Sequence, residues 1–311
     1  MMNLNNSVDI SVVIPVYNSE ENLTPLTIKI QEALNDISFE IIYINDFSKD
    51  NSWAVIAKLG AKYEFVKGLS LIRNSGQDNA IIAGLNHARG KYIVIMDDDL
   101  QHNPADIFTL YQKCKEGAQV CYANFNTKKQ AAWKNLGSWL NGKVAEFLIN
   151  KPKGIYLSPF LIMKREVVDE LVKYKGPFPY IQGLIFNITN NVTQVNIEHH
   201  KRYKGESNYN LVKSISLFLR LATGYSVKPL RVATFTGIVS SVLGFLLIPY
   251  YLYEYFFSTY KVEGFTTIII LMLIFGGLIL LSLGLIGEYI GRLYINVNNK
   301  PQYVVYKKIN Y

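Results

Sequence analysis

The chain has 311 residues, enough for one large domain or two modest ones, and half of them are apolar. Its mean hydropathy of +0.11 is high for a wholly soluble protein. The formal charge of +8 comes largely from residues 201–231, where Lys201, Arg202, Lys204, Lys213, Arg220, Lys228 and Arg231 stand against Glu206 alone. No nucleic-acid motif accompanies that cluster, so a nucleic-acid partner is excluded in favour of lipid headgroups and phosphates.

Residues 10–17 and 39–45 are short β-branched runs ending in polar residues, the pattern of buried parallel strands. Ser19 and Glu20 open a helix between them that runs to about residue 36. The first run is short, and no Lys or Arg precedes Lys29, so it is not a secretion signal and the domain is expected to stay cytoplasmic. Further strands are predicted at 66–72, 92–96 and 119–123, with helices at 51–63, 77–89 and 104–116. This alternation predicts an α/β fold with an open, doubly wound parallel sheet, whose ligands bind beyond the carboxyl ends of the strands. Cys114 and Cys121 form neither a disulfide framework nor a zinc spacing and read as small buried residues. Beyond 124 the pattern predicts a helix at 130–150, a strand near 157–163, a helix at 164–174, another after Pro179, and a strand at 193–198.

Residues 208–225 space Leu211, Ile215, Phe218, Leu219 and Ala222 as an amphipathic helix with Lys213 and Arg220 between them, suited to a membrane interface. Two uncharged apolar spans follow, 232–253 and 265–287, each long enough to cross a bilayer as a helix. Lys228 and Arg231 precede the first; Arg292, Lys300, Lys307 and Lys308 follow the second. The positive-inside rule then predicts a multi-pass plasma (inner) membrane protein with both termini cytoplasmic. The expected organisation is a catalytic domain at 1–205, an amphipathic segment at 206–231, two transmembrane helices within 232–296 and a cytoplasmic tail at 297–311. The sequons at Asn5, Asn22, Asn187 and Asn191 carry no meaning in that topology. Gly276, Gly277, Gly284 and Gly287 can bring helices close either within the hairpin or between copies in a homo-oligomer.

The chemistry centres on Asp97-Asp98-Asp99, at the end of the strand at 92–96. Three adjacent carboxylates repel one another unless cations are bound. In an extended turn Asp97 and Asp99 point the same way and can share one hard divalent ion, Mg2+ or Mn2+, with Gln101 adding a carbonyl oxygen. Asp46 closes the second strand. Ser48 or Asp50 can cap the following helix, which leaves Asp46 to accept a hydrogen bond from a base or ribose. Tyr17, at the end of the first strand, offers a ring for base stacking.

Several segments occur in a telling order: Val13-Ile14-Pro15-Val16-Tyr17-Asn18, the turn Asn45-Asp46-x-Ser48-x-Asp50, Arg73-Asn74-Ser75-Gly76 with Gly84 and Ala88-Arg89-Gly90, and Asp97-Asp98-Asp99-Leu100-Gln101-His102. The set resembles the family 2 glycosyltransferases of GT-A fold, in their polyprenyl-phosphate branch. That branch includes dolichol-phosphate mannosyltransferases and bactoprenol glucosyltransferases. Residues 283–292 (LGLIGEYIGR), with Lys300-Pro301-Gln302-Tyr303, are similar to the end of the bactoprenol type, so the resemblance spans nearly the whole chain. It implies a mostly parallel GT-A sheet flanked by helices, then an interface helix and a transmembrane hairpin. It implies that Pro15, Tyr17, Ile44 and Asp46 hold the nucleotide of a nucleotide-sugar donor, with a contact from the main chain at Asp98. Asp97 and Asp99 would bind metal and diphosphate, and Gln101 would complete the metal site. Arg202-Tyr203-Lys204-Gly205-Glu206-Ser207 is similar to the family's mobile Arg-x-x-Gly-x-Ser loop, which makes Arg202 the expected phosphate ligand. Asp97, Asp99 and Arg202 are thus the expected catalytic residues.

Three departures stand out. Ser19 replaces a frequent Glu, and Asn208 a frequent Lys. Pro159 and Leu161, within Ser158-Pro159-Phe160-Leu161-Ile162-Met163-Lys164-Arg165, stand where many relatives read the Asp and first Arg of Asp-Phe-Arg-Leu-Met-x-Arg. A polyprenyl phosphate acceptor tolerates the lost carboxylate, because a phosphate monoester with a second pKa near ~6 is already anionic and nucleophilic at neutral pH. The expected activity is therefore inverting transfer of one sugar from a nucleotide to polyprenyl phosphate at the cytoplasmic membrane face. Its rivals are transfer to a lipid-linked sugar or polysaccharide, and a non-catalytic nucleotide-sugar-binding scaffold. Trp53, Trp133 and Trp139 lie outside the Gln-x-x-Arg-Trp motif of processive synthases. The first strand is not followed by the Gly-x-Gly-x-x-Gly of a dinucleotide oxidoreductase.

Overall fold

The computed structural model describes residues 8–125, 151–152, 154–197, 228–257, 264–298 and 300–311. The helix expected at 130–150, the amphipathic helix at 208–225 and the basic loop holding Arg202 lie outside these residues. The chain divides into two compact units, one formed by Met1–Asn208 with Asn299–Tyr311 and the other by Tyr209–Asn298.

The first unit begins with the expected alternation: β1 (Ile10–Val16), α1 (Glu20–Ala33), β2 (Phe39–Asn45), α2 (Ser52–Lys62), β3 (Val66–Leu71), α3 (Gln77–His87), β4 (Tyr92–Ile95), α4 (Asp106–Lys115) and β5 (Val120–Phe125). Every residue of β1 and β3 is buried, the polar Ser11, Lys67 and Ser70 included, as strands covered on both faces require. α1 turns Leu23, Leu26, Thr27 and Ile30 into the core, where the Thr27 hydroxyl meets the Tyr43 hydroxyl at 2.8 Å. The unit continues with β6 (Leu161–Lys164), α5 (Arg165–Leu171), α6 (Ile181–Ile188) and β7 (Val192–Ile197), and is completed from the far end of the chain by β8 (Val305–Ile309).

These strands form one sheet in the order β7-β5-β6-β4-β1-β2-β3-β8. The sheet is mostly parallel, as expected, with β6 and β8 running against their neighbours. β5 lands two places from β4, and β6 fills the slot between them from the opposite direction. The strand order turns between β1 and β4, so β2, β1 and β4 lie side by side and open one edge at their carboxyl ends.

β8 gives structure to part of the segment expected as a tail. It pairs with the outer strand β3, from Gly68↔Ile309 to Leu71↔Val305. Gly60 and Gly68 make the room: a Cβ would lie 2.5 Å from Ile309 Cγ2 at the first and 3.2 Å from Ile309 Cδ1 at the second. An otherwise open edge is thereby covered.

The second unit contains α7 (Lys228–Phe257) and α8 (Phe265–Val297), which contain the two expected spans and are long and apolar enough to cross a membrane. Glu288 and Arg292 pair one turn apart near the end of α8.

Candidate functional site

A cleft of about 420 Å³ opens where β1, β2 and β4 end. Pro15 and Tyr17 reach it from β1, Asp46 from β2, and Asp97, Asp98 and Asp99 from β4, while Asn74, Gly76 and Gln77 close it from the turn into α3. Six of the expected site residues are thus brought together by three neighbouring strands.

Asp46 is almost wholly buried and is already engaged. Its two carboxylate oxygens accept the backbone N–H groups of Ser75 at 2.7 Å and Gly76 at 2.9 Å. Burial raises its pKa above the ordinary value, and those two bonds oppose the rise. Its expected freedom is therefore reduced to the remaining lone pairs, although Asp46 still lines the cleft. The clasp needs Gly76, whose φ of 87° lies in the left-handed region open to glycine.

The loops after β1 and β2 are stitched together by their polar residues. Asn18 N–H donates to Ser48 Oγ, Lys49 N–H to Asn18 Oδ1, and Glu20 N–H to Asp50 Oδ2. Asp50 also accepts from Ser52 N–H at the start of α2, so it serves two helix starts at once. Burial alone would raise its pKa, but these hydrogen bonds outweigh it and hold the carboxyl low. Tyr17 stands half exposed beside this seam, available for stacking.

The acidic run folds into a turn through Leu100, whose φ is 60°. Asp97 accepts from Gln77 Nε2 at 2.8 Å, and Asp99 accepts from Gln101 N–H at 3.1 Å. Asp98 lines the cleft beside them. Burial raises its pKa, while hydrogen bonds from the Ser19 side chain and the Tyr17 backbone lower it and the charge of Asp99 adds to the rise. Ser19 is the residue that replaces the family's Glu, and a Glu there would confront Asp98 with a like charge. His102 anchors the turn from behind: Asp97 N–H donates to its Nδ1 at 3.3 Å, and its buried ring is stacked with Phe125 and Phe160.

Sequence reasoning did not foresee the parts played by Gln77 and His102. His102 closes the acidic motif, which was a usable signal. Ile44 is fully buried, with its side chain under Gly84, so it supports the cleft from the core. Pro159 is exposed between buried Ser158 and Phe160, and Leu161 is fully buried. Relative to the family pattern one acid and one base are lost together, so neither charge is stranded by the loss of the other. Arg165, the last residue of that pattern, holds the carbonyls of Ala88 and Gly90 at 2.6–3.0 Å and is structural.

Among the described residues no three His, Cys, Asp or Glu side chains are gathered to hold an ion alone. Mg2+ and Mn2+ commonly use one or two carboxylates and complete their shell with water and substrate phosphates. Asp97 and Asp99, both on the cleft, supply that donor set, so the residues fit such an ion.

Residues 11–172 match the sequence profile of Glycosyl transferase family 2, and residues 228–293 that of the GtrB C-terminal hairpin. The undecaprenyl-phosphate 4-deoxy-4-formamido-L-arabinose transferase of Shewanella sediminis is 32% identical, over 98% of this chain and 94% of its own length. The SfII prophage-derived bactoprenol glucosyl transferase of Shigella flexneri is 30% identical, over 96% of this chain and 97% of its own. In fold, the chain resembles glucosyl-3-phosphoglycerate synthase of Mycobacterium tuberculosis, solved with Mn2+, UDP and phosphoglyceric acid. That likeness has a TM-score of 0.53 at 17% identity and covers 70% of this chain and 76% of the other.

Proposed function

The chain belongs to glycosyl transferase family 2, and from that premise we propose that it transfers one sugar, with inversion, from a nucleotide-sugar donor to polyprenyl phosphate at the cytoplasmic face of the plasma membrane. The observation that carries this reading is the joining of Tyr17, Asp46 and Asp97–Asp99 in one cleft of a chain that also holds two apolar helices of spanning length. The named activities of the full-length relatives, both on lipid carriers, point to the same acceptor class.

In this reading the Tyr17 ring stacks on the base, and the clasp around Asp46 fixes the wall against which base and ribose sit. Asp97 and Asp99, with Gln101, would hold a divalent ion, which when bound would neutralise charge on the nucleoside diphosphate leaving group. Gln77 and His102 fix Asp97 from the side chain and the main chain. An acceptor phosphate oxygen attacks the anomeric carbon as the bond from that carbon to the diphosphate breaks. No proton has to leave the dianionic acceptor, so the absence of an acid at Pro159 does not stop the reaction. Arg202 is the proposed cation for the phosphates, and the basic segment around it the contact with anionic lipid.

The test is incubation of purified protein with polyprenyl phosphate, Mg2+ or Mn2+, and a panel of nucleotide sugars. Glycosylated lipid is the expected product. Asp99→Asn should keep the wild-type melting temperature and lose turnover by roughly a hundredfold or more. No product from any donor, where a relative works under the same conditions, would sink the proposal.

A further inference from the structure

Nothing in the reaction above uses the Lys300-Pro301-Gln302-Tyr303 motif, yet its Gln302 side chain is tied into the first unit. Gln302 Nε2 donates to the carbonyls of Tyr174 at 3.1 Å and Gly176 at 2.7 Å. The next carbonyl, that of Pro177, accepts from Asn79 Nδ2 at 3.3 Å, and the same amide donates to the Ser75 carbonyl at 2.8 Å. Ser75 in turn gives its N–H to Asp46. Hydrogen bonds and adjacent peptides therefore run without a break from the C-terminal segment to the donor cleft.

A second tie reaches the same loop from its other end. Ile72 N–H donates to the Val304 carbonyl at 3.0 Å, where the β3–β8 pairing gives way to the loop. The loop itself has little packing, since Ile72, Arg73, Asn74 and Gly76 are all exposed. It is held at its start by Val304 and at its end through Asn79. Covering the β3 edge accounts for the β8 ladder. It does not account for a glutamine amide spent on the 174–176 carbonyls, away from that ladder.

We infer that residues 302–309 are a positioning strap for the donor loop at 72–76, so that donor affinity depends on residues lying after the membrane hairpin. Gln302 acts as a positioning residue: it orders the 174–177 segment, which orders Asn79, Ser75 and thereby the clasp on Asp46. The inference rests on the donor-site reading above for its ligand, but the ordering of the loop can be measured without one.

The experiment uses full-length protein in detergent, as wild type, Gln302→Ala, Asn79→Ala and the double variant. Hydrogen exchange without nucleotide should become faster in the 72–77 segment of Gln302→Ala while the β3 and β8 amides keep their protection. Calorimetric titration with UDP and with GDP, in the presence of Mn2+, should show binding weakened roughly fivefold for whichever nucleotide the wild type takes. The melting temperature should stay within about 2 °C. The double variant should bind no worse than the weaker single one, because both changes cut one chain of contacts. Unchanged exchange at 72–77 overturns the strap. So does an altered melting temperature with unchanged nucleotide affinity, or strict additivity. If the loop loosens but the wild type binds neither nucleotide, the strap stands as a structural device and UDP and GDP sugars are removed as donors.

Discussion

Asp46 and Phe47 are neighbours held in opposite ways. The Asp46 carboxylate gains two backbone hydrogen bonds, each of a kind that contributes about 1.5–3 kcal/mol when one partner is charged. Phe47 sits at φ 61° with 52% of its surface exposed. A bulky side chain in that region costs about 1–2 kcal/mol, and here burial offsets little of it. Asn18, across the seam, has a similar φ of 54° but is a residue type that tolerates it. Phe47→Asn is therefore expected to raise unfolding stability by about 0.5–1 kcal/mol, read as a higher denaturant midpoint at constant slope. A lower or unchanged midpoint would show that no strain is stored there. Strained residues cluster at functional sites, and Phe47 directly follows Asp46 of the cleft, so the same variant should bind nucleoside diphosphate more weakly. The carboxylates were legible in the sequence because strand ends locate them. The left-handed Phe47 was not, because nothing in a Phe signals positive φ.

Among the elements, the parallel core of the sheet was legible from apolar runs and intervening helices. β6 was legible as a strand but not in its direction, and β8 not at all. Their places depend on pairing with strands far away in sequence, and local pattern carries no record of a partner. β8 also brings Lys308 to His87, whose Nε2 meets Lys308 Nζ at 3.0 Å while Nδ1 donates to the Ala83 carbonyl at 2.8 Å. The Tyr311 ring meets His87 edge-on, and Arg89 follows two residues later. Burial lowers the His87 pKa, the Ala83 bond opposes this, and the Lys308 charge lowers it further. The folded state thus prefers the neutral ring. Its contribution is full above the unfolded value near ~6.5 and is lost as pH falls through the lowered value. Exchange of the β8 amides, corrected for intrinsic rate, should accordingly be faster at about pH 5.5 than at about pH 7.5. His87→Gln should flatten the difference; equal protection at both pH values in the wild type would remove His87 from tail docking.

At the scale of the molecule, the chain leaves the first unit, builds α7 and α8, and returns to supply that unit's edge strand. The two spans were legible because uncharged length is a strong signal. The service of their glycines was not, since close packing within a hairpin and between copies asks for the same residues. Among the described residues, no heavy atom comes within 4 Å of a Cβ built on Gly276, Gly277, Gly284, Gly287 or Gly291. Gly277, Gly284, Gly287 and Gly291 also recur at helical spacing, along one side of α8. In a bilayer, where lipid tails are as apolar as leucine, such a stripe brings helices together by allowing their backbones to approach. Packing within the hairpin would give the stripe one use, and self-association through α8 another. Gly284→Leu with Gly287→Leu is then expected to leave the melting temperature of the first unit unchanged and to lower the protein mass in detergent, measured by light scattering. A wild type that is monomeric, or a variant with the wild-type mass, would show that copies do not meet along this stripe.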